Sequence, residues 1–305
     1  MPHAPAPLPS STRVVTGRGG LTELHIHNRH ARAVVALQGA QLLSFQPHGE
    51  PDWLYLSPNA VFAPGRPVRG GVPLCWPWFG PDPQGLGRPA HGLARQSPWV
   101  LRHALDESDG CTLLELELSD DAATRALWPH RFRLRLEIRV GATLALALTT
   151  RNLGDTHLTL TQALHNYFAI DHIEGARVHG LDGLGFIDQV PGANPQGAPA
   201  PGPLAFAGRL DRIYPNAPTR LQLEGAAGGG RLTLDSEGSR SAVVWNPGAE
   251  LAAGMADLGP DEHSRFVCVE TANAGDDVVT LAPGAEHRLA LAIARTTEPS
   301  HRSPP

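Results

Sequence analysis

The chain has 305 residues, 41% hydrophobic and 18% charged, with a net charge of −5 at pH 7. That hydrophobic share can fill a sizeable core, no stretch approaches a membrane span, and the mild negative balance argues against nucleic acid, which wants a basic patch. All 25 Lys-or-Arg positions are Arg, which removes Schiff-base chemistry, pyridoxal phosphate attachment and the Walker lysine.

Residues 1–12 are Pro-rich, with neither a basic nor an apolar leader region, and read as a disordered tail rather than a secretory signal; a cytoplasmic location is expected. From Arg13 to Phe45, short apolar runs broken by glycines suit strands and tight turns. His25, His27 and His30 lie close together there. Period two puts His25 and His27 on one strand face, but no Cys or carboxylate spacing completes a metal site. Asp52 to Leu56 reads as a further strand.

The stretch from Arg69 to Arg95 follows: Arg-Gly-Gly-Val-Pro-Leu-Cys-Trp-Pro-Trp-Phe-Gly, a Gly/Pro-rich loop, then His91-Gly-Leu-Ala-Arg95. Trp76 and Trp78 alternate with prolines that fix the backbone, and Gly70 and Gly71 let it pass close to something. Arg69 and Arg95 are forked donors suited to carboxylate or phosphate. A flat aromatic wall beside such forks suits a small polar ligand with an anionic tail. The plainer reading is a Pro-rich loop whose tryptophans plug a core edge.

Leu114, Leu116 and Leu118 alternate with Glu115 and Glu117. From Arg131 to Val140 the alternation is strict: Phe132, Leu134, Leu136, Ile138 and Val140 share one face, and four arginines with Glu137 share the other. This predicts a strand with one buried and one wet side, so the arginine row is a solvated sheet face. His165 falls in the apolar segment Leu160 to Phe168, expected as one strand, and Glu270 ends the apolar run from Phe266. A carboxylate there must be paired or exposed at a rim, because burying it alone is too costly. A His and a Glu at the ends of two core strands could act as a general acid/base pair. The middle, Gly175 to Pro218, has few apolar runs, with a loop expected over Pro191 to Pro203; strands resume from Arg220 to Arg295.

Cys75, Cys111 and Cys268 are too scattered for a disulfide framework or zinc knuckle, Gly183-Leu-Gly185 fails as a dinucleotide fingerprint, and no Gly-x-Ser-x-Gly elbow occurs. Many short strands with hardly a helix predict an all-β fold, a large antiparallel β-sandwich in a single domain over residues 13–296, with a second tail over 297–305.

Taken in order, Arg69 to Gly80, His91 to Arg95, Leu164-His165-Asn-Tyr-Phe168, Asp211-Arg-Ile-Tyr214, Val244-Trp-Asn-Pro247 and Val267-Cys-Val-Glu270 resemble the hexose-6-phosphate mutarotases (glucose-6-phosphate 1-epimerases), a branch of the aldose 1-epimerase group. The resemblance spans Thr22 to Arg295 and implies the galactose-mutarotase-like supersandwich. It implies His165 as the acid that protonates the ring oxygen and Glu270 as the base that takes the anomeric hydroxyl proton. It further implies Arg69, Arg95 and Asp211 as substrate-binding residues, His91 as a support, and Trp245 and Asn246 as lining, while Trp76 is expected to shape the pocket from the aromatic stretch. Two departures stand out: Ala90 where several relatives carry Gln, and Leu251 where relatives often carry Lys.

The resulting expectation is a monomeric enzyme without cofactor or metal that acts on a small sugar phosphate, with no nucleic-acid or membrane partner. The alternatives are an epimerase of unphosphorylated aldoses and a non-catalytic carbohydrate-binding module. The His165/Glu270 pair speaks against the module, and the two arginines speak for a phosphorylated sugar.

Overall fold

The computed structural model describes residues 8–296. Two large antiparallel sheets face one another. The larger has nine strands, and its central order is Arg231–Glu237, Glu286–Thr296, Leu144–Asn152, Phe132–Val140 and Thr112–Ser119. Phe132–Val140 forms because every second residue is a large aliphatic or aromatic side chain; Leu134, Leu136 and Ile138 are fully buried and the intervening residues are not. Its outward row of arginines is the solvated face expected. The second sheet runs Leu210–Pro215, Ser241–Asn246, Phe266–Asn273 and Gln162–Leu164, and ends at the edge strand Leu74–Cys75.

The main core lies between the sheets. It joins Leu134, Leu136, Leu289 and Leu291 of the first to Leu210, Val244, Val267 and Val269 of the second. Each such side chain contributes about 1.5–3 kcal/mol on burial. Alternation then decides what the second sheet shows on its other side: Asp211, Val243, Trp245, Cys268 and Glu270 all point away from this core. Their register brings them together, with Val243 opposite Glu270 and Trp245 opposite both Asp211 and Cys268. The expected sandwich is thus present, and its second sheet has a chemically loaded outer face.

Several local expectations change. The first strand, Thr12–Thr16, starts inside the segment expected as a tail, where Ser11 and Thr12 are buried; residues 1–7 and 297–305 of the two expected tails lie outside the described residues. Asp52 to Leu56 makes only isolated bridges, Leu54 to Phe168 and Leu56 to Gly70. The Asp52 carboxylate accepts the backbone N–H groups of Phe45 and Leu54 at 3.0 and 2.9 Å, which turns the chain. Leu160 to Phe168 is not one strand. Asn166 donates its side-chain amide to the carbonyls of Leu164 and Val269, 3.0 and 3.1 Å away, and so interrupts the ladder next to His165. The loop over Pro191 to Pro203 contains a two-residue strand, Gln196–Gly197. Two short helices appear, Ala122–Leu127 and Gly248–Ala253. The first is held by a reciprocal cap, in which Asp121 accepts from Thr124 N–H and Thr124 accepts from Asp121 N–H.

Candidate active site

A pocket of about 420 Å³ opens on the outer face of the second sheet. Glu270 sits in the middle of Phe266–Asn273, a strand buried along its whole length, and its side chain is 1% exposed. The rim position that sequence allowed for it is therefore excluded; the carboxyl is paired instead. His165 stands in the break between Gln162–Leu164 and Tyr167–Ala169, with Nε2 3.4 Å from Glu270 Oε1. The other atom of each, His165 Nδ1 and Glu270 Oε2, has no partner within the protein.

The surroundings fix the His165 ring. Tyr167 lies flat against it, centroids 4.8 Å apart at 8°. Trp245 and His91 approach edge-on at 6.2 and 5.9 Å. The arginine-bracketed loop is zipped onto the same segment: His165 N–H donates to Pro73 and Tyr167 N–H to Gly71, at 3.0 and 2.9 Å. Gly70 and Gly71 make the close approaches foreseen for them. Both have positive φ, and a Cβ would fall 2.4 Å from the Tyr55 carbonyl oxygen at Gly70 and 2.2 Å from that of Leu42 at Gly71. His91 itself holds a left-handed backbone, φ 60, unusual for a side-chain-bearing residue. Its Nδ1 accepts Gly80 N–H at 3.3 Å, which leaves the proton of a neutral ring on Nε2.

Burial sets the electrostatics. It pushes Glu270 well above the usual carboxylate range; Asp211 adds to the rise and Arg95 opposes it. Burial pushes His165 well below the usual imidazole range, with His91, Arg95 and Arg69 adding to the fall. Desolvation, with the same two arginines, lowers His91 to about 3. Burial raises Asp211 to about 6, with Arg209 opposing and Asp188 reinforcing. The His165–Glu270 pair thus holds one proton over a wide pH range, and the uncharged arrangement places it on the carboxyl. Moving it to the imidazole gives a carboxylate base beside an imidazolium acid, so the pair can accept a proton at one end and donate one at the other.

Arg69, Arg95, His91, Asp211 and Trp245 all line the pocket with the pair. Trp76 and Asn246 do not. Trp76 is completely buried between the sheets, packs against Trp128 and Phe132, and donates its indole N–H to Thr150 Oγ1 at 3.0 Å. Trp78 is buried too, with Arg88 over its ring. The expected tryptophan wall is therefore core, as the plainer reading had it, and the aromatic lining consists of Phe79, Tyr167 and Trp245. Asn246 is 1% exposed; its amide donates to the carbonyls of His263 and Phe266 and its oxygen accepts Gly248 N–H, so it braces the strand end beside Trp245. The substituted positions Ala90 and Leu251 are absent from the lining as well.

Sequence reading passed over Phe79, Tyr167 and Gln189 as site residues, although all three line the pocket. Tyr167 carried a signal, being two residues from His165. Gln189 carried none, because it follows a three-residue strand in the Gly-rich middle. The histidine group near the N-terminus disperses: His25 contacts Glu23, His27 packs on His48 and His30 contacts the Asp109 carbonyl.

Comparison with known proteins agrees with this geometry. The family profile described as aldose 1-epimerase matches residues 22–294. A protein of Salmonella typhimurium (strain LT2), provisionally named glucose-6-phosphate 1-epimerase, is 40% identical over 246 residues, 81% of each chain. One of Escherichia coli (strain K12) with the same provisional name is 39% identical over 265 residues, 86% of this chain and 87% of that one. A crystal structure of a provisionally assigned mutarotase from Salmonella typhimurium superposes with a TM-score of 0.87 at 35% identity, covering 94% of both chains. With its galactose-mutarotase-like sandwich and the matched span from Thr22 to Ala294, the chain belongs to the aldose 1-epimerase family.

Proposed function

We propose that the chain interconverts the α and β anomers of hexose 6-phosphates, glucose 6-phosphate foremost, through His165 and Glu270. The 3.4 Å separation of the two buried groups at the pocket carries this reading. In a pyranose the ring oxygen O5 and the anomeric hydroxyl O1 are bonded to the same carbon, so an acid and a base serving both must stand close together, as these two do. Glu270 as carboxylate takes the O1 proton, the O1 electrons form the carbonyl, the C1–O5 bond breaks, and O5 takes the proton from the His165 imidazolium. The pair is then uncharged, the state that burial favours. Rotation about C1–C2 presents the other face of the aldehyde, and the reverse transfers close the ring. The two half-reactions shuttle the pair between its two arrangements, and only protons move, so no metal or organic cofactor is required.

The guanidinium groups of Arg69 and Arg95 support a phosphorylated substrate over a neutral sugar, and the provisional names of the two bacterial relatives point the same way. Asp211 is suited to hold sugar hydroxyls from Leu210–Pro215, which is separated from the Glu270 strand by Ser241–Asn246. A cytoplasmic location fits three free, buried cysteines. Action within one domain fits a core cluster running from Leu24 to Ile293. Saturation-transfer NMR on equilibrated anomers tests the reading. Exchange accelerated for glucose 6-phosphate and much less for glucose supports it; equal acceleration would move the chain to unphosphorylated aldoses.

A further inference from the structure

Arg69 is held before any ligand arrives. Its guanidinium has five N–H donors in one plane. Nε donates to Asp257 Oδ2 at 3.2 Å, Nη2 lies 3.1 Å from the same oxygen, and Nη1 donates to the Tyr167 hydroxyl at 2.9 Å. One donor on each terminal nitrogen is left over, and Arg69 lines the pocket whereas Asp257 does not. Asp257 therefore grips the edge of the fork turned away from the substrate.

That grip is itself anchored. Asp257 lies in the chain after Gly248–Ala253, remote in sequence from Arg69. Ser57, 1% exposed, ties the two together: its N–H donates to the Arg69 carbonyl at 3.1 Å and its hydroxyl to the Asp257 carbonyl at 2.8 Å. On the opposite side, Tyr167 transmits the position of Arg69 to the ring it stacks on, His165.

We propose that Asp257 is a positioning residue that sets Arg69 as a preorganised two-donor fork for the anionic group of the substrate. An unheld arginine gives up much rotamer freedom when it engages an anion; one clamped beforehand gives up little, and binding is tighter by the difference. The inference rests on the hexose 6-phosphate reading.

The test is steady-state kinetics with glucose 6-phosphate and with glucose, together with the inhibition constant of inorganic phosphate, on wild type, Asp257→Asn and Asp257→Ala. Loss of a clamp on a charged donor is expected to raise KM for the phosphorylated sugar and the phosphate inhibition constant roughly tenfold. The kcat should fall less than about threefold, because phosphate binding is uniform between ground and transition states. Asp257→Asn, which keeps one acceptor oxygen, should fall between wild type and Asp257→Ala. Should Asp257→Ala fail to fold, Ser57→Ala carries the test, with a smaller rise of the same two constants. Unchanged or lowered constants in folded variants of a phosphate-preferring wild type would overturn the role of Asp257 alone. A wild type indifferent to phosphate would overturn the substrate reading beneath it.

Discussion

At the scale of single residues the account turns on proton transfer between His165 and Glu270. A positioned acid or base contributes about 10²–10⁴ in rate. Glu270→Gln and His165→Asn keep shape and remove the transfer, so each should lower kcat by that factor while the thermal transition stays near that of wild type. A folded variant that keeps more than about a tenth of kcat would remove that residue from its role. Asp211 supplies the pH dependence. Burial brings this further pocket carboxyl into the working range, at about 6. The kcat/KM should therefore fall as pH drops through 6, and Asp211→Asn should abolish that limb; an unaltered limb in the variant would assign it elsewhere. For stability the signs are opposite for two neighbours. His91, lowered from 6.5 to about 3, leaves the unfolded chain binding the extra proton between those values, so its contribution is lost as pH falls below 6.5. Asp211, raised from 3.8, contributes stability that is present below 3.8 and lost as pH rises through 6. Urea titrations of His91→Asn and Asp211→Asn against pH should show these two slopes removed separately.

At the scale of elements the clearest test concerns Trp76. Sequence suggested a pocket wall, because a tryptophan between prolines in a Gly-rich loop has no periodicity to say which way it faces. The structure puts it between the sheets, so Trp76→Ala should cost about 3–5 kcal/mol. The measured signature is a lowered Tm, with KM near wild type in whatever fraction stays folded; a selective rise in KM at unchanged Tm would return Trp76 to the pocket. Where side chains alternate over many residues, as in Phe132–Val140 and Thr112–Ser119, strand and buried face were both legible. The break at His165 was not, because it depends on the Asn166 amide reaching Val269, a residue about a hundred positions away. The Asp52 turn escaped for the same kind of reason, a side chain competing for backbone donors that a strand would have used.

At the scale of the whole molecule, the pocket exists because the second sheet buries one face in the sandwich and presents the other. Alternation alone says that Asp211, Trp245 and Glu270 each face away from the core in their own strands; it does not say that those strands are neighbours. That comes from register, which joins residues 211, 245 and 268 across three strands. Motif order supplied what periodicity could not, and it carried His165, Glu270, the two arginines, His91, Asp211 and Trp245 into one pocket. It failed for Asn246, whose place in a motif reflects the brace it makes rather than the lining. Because the chemistry proposed moves only protons, exhaustive chelation should leave turnover intact. Among the described residues the one close group of candidate ligands is Glu107, Asp109 and Cys111, where Arg139 already pairs with both carboxylates; activity lost on chelation and restored by a divalent ion would contradict a cofactor-free mechanism. The most direct test of the central claim is the anomer-exchange rate of glucose 6-phosphate, read by saturation-transfer NMR with wild type and with Glu270→Gln at equal concentration. Wild type should accelerate exchange well above the spontaneous rate and folded Glu270→Gln should fall back by about 10²–10⁴; exchange that is equal in the two proteins, or no faster than without protein, would contradict the account.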